Sequence, residues 1–172
     1  MSLARLQDSE TRLRDLFDNV SDLIQTISPD GKIIWVNRKW QETLGYSESE
    51  LQTINFFDII APGCQQQCGE SFKRLLAGED VGVLDITFTA KDGKLVQTEG
   101  HINVRFESGK PVLSRGVFRD VTQQHATQNQ MRVYKDTLDA TFDAILMFKP
   151  ETFRFIYANK SALNITGYAM EE

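Results

Sequence analysis

The chain repeats itself once, and the repeat sets the size of its folding unit. Trp35-Val36-Asn37-Arg38-Lys39 is similar to Tyr157-Ala158-Asn159-Lys160-Ser161, and Gly45-Tyr46 returns as Gly167-Tyr168, both pairs 122 residues apart. Upstream, Asp22-Leu23-Ile24 matches Asp143-Ala144-Ile145 at an offset of 121, so the turn in between is one residue longer in the second copy. Self-similarity at a fixed spacing marks a structural unit used more than once. At about 100–200 residues per domain, a chain of 172 residues holds one domain, or one and part of another. The repeat selects the second option. It divides the chain into an N-terminal helix over 1–20, a complete unit over 21–122, a connector helix over 123–141 and the start of a second unit over 142–172. The second copy stops before any counterpart of the first copy's last three strands. A lone hairpin is marginal in water, so this tail is expected to be loosely ordered or to bury its apolar residues against a neighbouring copy.

Local patterning supplies the elements. Leu23–Ser28 and Lys32–Val36 are strand-like, and Pro29-Asp30-Gly31 between them is a turn signal, so the two read as a hairpin. Asn37 is placed to cap a short helix over Arg38–Leu44, with Gly45 in the left-handed position beyond it. Ser47 and Glu50 form a capping box for Glu48–Gln52. Asn55–Ile60 is apolar, and Pro62 can open a helix over Gly63–Ala77 that stops at Gly78. Three strands follow, Val83–Thr89, Leu95–Phe106 and Pro111–Val121, separated by the turns Lys91-Asp92-Gly93-Lys94 and Glu107-Ser108-Gly109-Lys110. From Gln123 to Phe142 the chain reads as a helix. Hairpin, helices, then a run of strands is an α+β order.

The N-terminal segment is amphipathic. Leu6, Leu13 and Val20 fall seven apart, and Leu3, Glu10 and Phe17 form the other half of a heptad seam that Glu10 interrupts. Two readings stand: a helix lying on its own domain, or a parallel dimer helix whose seam is Leu6, Leu13, Phe17 and Val20.

At this point the first unit resembles a PAS domain. The resemblance covers Asp18 to Thr122, with Leu138 to Glu172 as the start of a second copy. It rests on Asp30-Gly31-Lys32-Ile33 running into Val36-Asn37, on Gly45-Tyr46-Ser47 with Glu50-Leu51, and on Leu75-Leu76-Ala77-Gly78. Lys91-Asp92-Gly93-Lys94 and the terminal Gly116-Val117-Phe118-Arg119-Asp120-Val121-Thr122 complete it. The set, in this order and spacing, is what is specific. The resemblance implies the PAS fold: a five-stranded antiparallel sheet with flanking short helices, here preceded by an N-terminal amphipathic helix and followed by a connector helix. It also implies that Asp120 and Thr122 couple the core to the outgoing helix. Both side chains can accept from N–H groups at a helix start.

Chemistry is sparse. Flavin-binding members of the family use a cysteine in a stretch whose nearest equivalent here, Asn55-Phe56-Phe57-Asp58, has none. Haem-binding members often use a histidine in the helix corresponding to Gly63–Ala77, and that helix has none either, so flavin and haem are not expected and the cofactor is left unknown. On Leu95–Val104 the face Val96, Thr98, Gly100, Ile102 and Val104 is expected inside, with Gly100 suited to a close backbone approach and His101 outside. Cys64 and Cys68, one helical turn apart, are half of a four-ligand zinc site and match disulfide geometry poorly. No catalytic or metal-binding arrangement is visible. Ile24, Trp40, Phe56, Phe57, Phe72, Leu76, Phe88, Thr98 and Ile102 are the candidates to line an interior pocket. A solid core would use the same residues, and the two readings stay open.

Composition narrows the setting. The net charge is −5, and Lys and Arg are scattered, which does not fit a nucleic-acid partner. No apolar run nears the ~18 residues of a membrane span, no signal peptide is visible, and two cysteines suit a reducing cytosol. The expected function is a cytoplasmic sensory module of a larger signal-transduction protein, homodimeric through its terminal helices. Its output domain is expected downstream: by resemblance a bacterial histidine kinase, with a diguanylate cyclase next. The alternative is a ligand-free protein–protein interaction module.

Overall fold

The computed structural model describes Phe17 and residues 19–168, and its contacts divide the chain into two units, the first ending at Thr122 and the second beginning at Gln123. Leu6 and Leu13 of the seam lie outside the described residues. Phe17 is half-buried and Val20 exposed.

In the first unit, β1 (Leu23–Ile27) and β2 (Ile33–Val36) form the hairpin. After it come α1 (Arg38–Leu44), α2 (Glu48–Leu51), two 3-10 turns (Phe56–Ile59 and Pro62–Cys64) and α3 (Gln65–Leu76). The strands β3 (Leu84–Thr89), β4 (Leu95–Glu107) and β5 (Lys110–Asp120) complete a five-stranded antiparallel sheet of order β2-β1-β5-β4-β3. The helix read from Gly63 therefore starts later. Pro62, with its fixed φ, opens a 3-10 turn instead. Gly31 turns the hairpin at φ +85°, where a Cβ would stand 2.6 Å from Asn55 Oδ1.

Period two places the core. Val96, Thr98, Gly100 and Ile102 are buried on β4, while Leu95, Gln97, Glu99 and His101 are exposed. Gly100 pairs with Phe118, and a Cβ on Gly100 would lie 2.2 Å from the Val117 carbonyl and 2.5 Å from the Phe118 ring. Five phenyl rings then run edge to face through the interior. Centroid separations are 5.3 Å for Phe72–Phe57, 5.4 Å for Phe57–Phe56, 5.9 Å for Phe56–Phe88 and 5.7 Å for Phe88–Phe118. Each such contact adds about 0.5–1.5 kcal/mol beyond the buried area. At the periphery Lys91 Nζ and Glu50 Oε1, 2.7 Å apart, tie α2 to the β3–β4 turn.

In the second unit, β6 (Leu146–Phe148) and β7 (Phe155–Ala158) pair as a two-stranded sheet ahead of α5 (Lys160–Thr166). Pairing repeats the first hairpin: Gln25↔Val36 and Ile27↔Ile33 return as Leu146↔Ala158 and Phe148↔Phe155. Phe148, Phe155 and Ile156 are exposed. The helix that opens the second unit, α4, runs Thr122–Asp139, short of the Phe142 expected from sequence. Thr141 ends it by turning both its N–H and its hydroxyl to the Leu138 carbonyl, at 3.3 and 2.8 Å. Among the described residues no helix is long and apolar enough to cross a membrane.

Candidate functional site

The interior gathers most of the residues singled out from sequence. Trp40, Phe56, Phe72, Phe88, Thr98 and Ile102 are buried, and Phe57 and Leu76 pack part-buried against the same cluster. Ile24 is the exception and corrects the expectation. It is buried, but it pairs with Val117, on the strand face opposite that of Leu23 and Gln25. Alternation along β1 puts Leu23, Gln25 and Ile27 inward. All five residues of the strand are buried, so no polar–apolar alternation marks the inner face.

Two interior residues escaped the sequence reading. Phe118 is fully buried, across the strand pair from Gly100 and two residues after Gly116. The two glycines, which leave room for a large ring, were the available signal. Gln25 is 1% exposed; its Oε1 accepts from the Trp40 indole N–H at 2.9 Å, and its Nε2 has no hydrogen-bond partner among the described residues. An indole N–H can only donate, which settles which end of the amide faces it. The Thr98 hydroxyl donates to the Ile86 carbonyl at 2.8 Å. A separate open cleft of about 740 Å³ lies between β2 and α2, lined by Ile34, Trp35, Ser47 and Leu51 among others, and touches none of the nine candidates.

Reactive groups are few. Cys68 is buried on α3, and burial, with Cys64 nearby as the lesser cause, pushes its thiol up to about 11, so it stays protonated near neutral pH. Among the described residues no three His, Cys, Asp or Glu side chains gather as a metal site.

The end of β5 is where the sheet meets the outgoing helix. Asp120 Oδ1 accepts from the Thr122 N–H at 2.9 Å, capping the helix start. Thr122 behaves differently from the expectation. Its Oγ1 accepts from the Gln97 N–H of β4 at 2.9 Å, and the Val121 N–H donates to the Gln97 carbonyl at 2.9 Å. Asp120 is already paired with Thr98, so the next two residues carry the β4–β5 ladder past the strand's end. The first residue of α4 is thereby also bonded to the sheet.

A second junction lies at Asn37, read from sequence as a helix cap. Its Oδ1 does accept from the Trp40 N–H, at 3.1 Å, and also from the Ile24 N–H at 2.9 Å. Its Nδ2 donates to the carbonyls of Phe17 and Asp22, each at 3.0 Å. Asn159 repeats the pattern. It accepts from Ala162 and Ile145 at 3.0 and 2.9 Å and donates to Leu138 and Asp143, each at 2.9 Å.

Comparison with known proteins agrees with this geometry. A family model described as a PAS domain matches residues 21–123 and 143–172. The methyl sulfide methyltransferase-associated sensor of Methanosarcina acetivorans is 26% identical over 168 residues; the match covers 97% of this chain and 16% of that protein. This chain thus spans about one sixth of that relative's length. The PAS domain of an HTR-like protein from Haloarcula marismortui superposes with a TM-score of 0.58 at 24% identity, over 68% of this chain and 95% of the other. A sensory box histidine kinase/response regulator from Burkholderia thailandensis gives 0.59 at 18% identity, over 74% and 97%.

Proposed function

This chain belongs to the PAS domain family, and we propose that its complete unit is a non-catalytic sensory and relay module of a larger cytoplasmic signal-transduction protein. The observation that carries the relay is the double tie at Thr122. One residue starts α4 and extends the β4–β5 ladder, so a shift of β4 or β5 must act on the helix start. The relative named a sensor, and a neighbour named a histidine kinase, support a kinase as the downstream output. In a homodimer formed through the terminal helices, with Leu6, Leu13, Phe17 and Val20 as the N-terminal seam, a shift at the start of α4 would change the rotation or register of that connector helix against its copy in the second chain. Leu13→Lys should then move the chain toward monomer in sedimentation.

Two inputs fit the interior. A small neutral molecule with a hydrogen-bond acceptor would satisfy Gln25 Nε2. A filled core driven by a partner domain fits the five packed rings. A panel of metabolites screened by thermal shift separates them: a raised melting temperature supports the ligand, and no shift supports the partner.

The relay itself is tested by Thr122→Val, which keeps the shape and removes the hydroxyl. A net hydrogen bond is worth about 0.5–1.5 kcal/mol, so amide exchange at Gln97, at Thr122 and in the second turn of α4, where intrahelical bonds begin, should quicken by up to about tenfold. Exchange at Trp40 and Phe56 should not change. Unaltered exchange at Thr122 and in the second turn of α4 would overturn the relay.

A further inference from the structure

We infer that Asn37 and Asn159 are coupling clasps, each gripping the segment that leads into its own hairpin, which at Asn159 is the end of α4. A plain N-cap needs one acceptor, and Asp, Ser and Asn serve about equally well there. These two asparagines use everything a primary amide has. The oxygen takes two backbone N–H groups, one from the first strand and one from the following helix. The nitrogen gives both its hydrogens to carbonyls of the segment that precedes the strand. Backbone N–H groups only donate and carbonyls only accept, so the amide orientation is fixed by its partners.

The gripped carbonyls are significant. The last carbonyls of a helix lack intrahelical partners, and Leu138 is the penultimate residue of α4. Phe17, also helical, stands at the corresponding place before the first unit. The surrounding residues differ between copies, Phe17 against Leu138 and Trp40 against Ala162, and one hairpin is a residue longer. The four bonds persist through those changes. At Asn159 the Thr141 Oγ1, on the residue that terminates α4, also lies 3.1 Å from Nδ2 and shares one of its two hydrogens.

A helix bonded to the sheet at its first residue and held by an amide at its last turn is fastened at both ends. Movement entering at Thr122 would then reach the hairpin of the next unit through Asn159. Asn37 gives the first hairpin the same inlet from the segment that holds Phe17. This role rests on the relay reading for its purpose, while the grip itself is tested separately.

Asp in place of Asn is the discriminating change, because it keeps the acceptor and the cap but loses both donated hydrogens. In this chain, Asn159→Asp should quicken amide exchange at Ala140 and Thr141 tenfold or more, and leave Ala162 and Leu163 within about twofold. Unchanged exchange at Ala140 and Thr141 would overturn the clasp. So would an equal rise at all four sites, which would mark Asn159 as a general folding residue. Asn37→Asp, in the complete unit, is the second variant: Ile24 and Trp40 should stay protected while the Val20 amide loosens, and a protected Val20 would count against the clasp. Failure of the relay reading shows instead in Thr122→Val, at the opposite end of α4.

Discussion

The Trp40 indole N–H donates to Gln25 Oε1 across 2.9 Å, between two residues that are 0% and 1% exposed. This bond fixes α1 to the inner face of β1 and holds a primary amide inside a mostly apolar interior. A buried amide left without partners costs about 1–3 kcal/mol. Trp40→Phe removes this partner of Oε1 and some packing as well. It should destabilise the unit by roughly 3 kcal/mol in urea titration.

Gln25→Glu keeps an acceptor for the indole but adds an acid. Burial favours the neutral form, so its folded pKa should rise above the ordinary carboxyl value of about 4.3. Such a group leaves stability untouched at low pH and subtracts from it as pH climbs past the unfolded value. The urea midpoint of this variant should be higher at pH 4 than at pH 7. A midpoint independent of pH would show that the site admits water.

Gly100 and Gly93 should respond differently to alanine. Gly100 has no positive φ, but its Cβ would strike the Val117 carbonyl at 2.2 Å, and backbone does not yield readily. A loss of about 3 kcal/mol or more, or failure to fold, is expected. Gly93 has φ +85° in open space, so alanine there carries only the left-handed backbone penalty, about 1–2 kcal/mol. Denaturation of the two variants side by side checks the contrast.

Glu50 links acid stability to the α2–Lys91 strap. Its hydrogen bond with Lys91, then those with Ser47, lower its carboxyl from 4.5 to about 2. A carboxyl whose folded value is depressed stabilises above its unfolded value and loses that contribution as pH falls toward the folded one. Wild type should therefore melt above Glu50→Gln at pH 6, with the gap closing between about 4.5 and 2. A gap unchanged at pH 2 would assign it to something other than this charge.

The elements governed by near neighbours were legible in the residues themselves. Asn37, Gly45 and the Ser47–Glu50 pair announce their helices, and Leu95–Val104 alternates cleanly enough to sort its two faces. What escaped depends on partners far along the chain. The Asn37 amide reaches back to Phe17, and Thr122 reaches Gln97, 25 residues away. No local pattern reports such bonds. Ile24 was misplaced for a related reason: on a strand covered on both sides, hydrophobicity stops distinguishing inside from outside. Phe118 is explained by glycines on two strands whose pairing is itself a tertiary fact.

The unequal hairpins show where this architecture tolerates change. The rung Ser28–Lys32 recurs as Lys149–Arg154, so the whole difference in length falls on the tip. There Pro29-Asp30-Gly31 became Pro150-Glu151-Thr152-Phe153. Phe153 takes the left-handed place that Gly31 holds, with φ 54° against 85°. Everything on the sheet side of that rung kept its register, bulge included. In the second unit, where Phe153 is 78% exposed, the tip is the natural point of entry for inserted sequence such as an epitope or a fluorophore, because spare length added there is absorbed before it reaches Asn159. The first unit's tip is held instead, since the Asn55 side-chain amide and the Phe56 N–H donate to the Asp30 and Gly31 carbonyls.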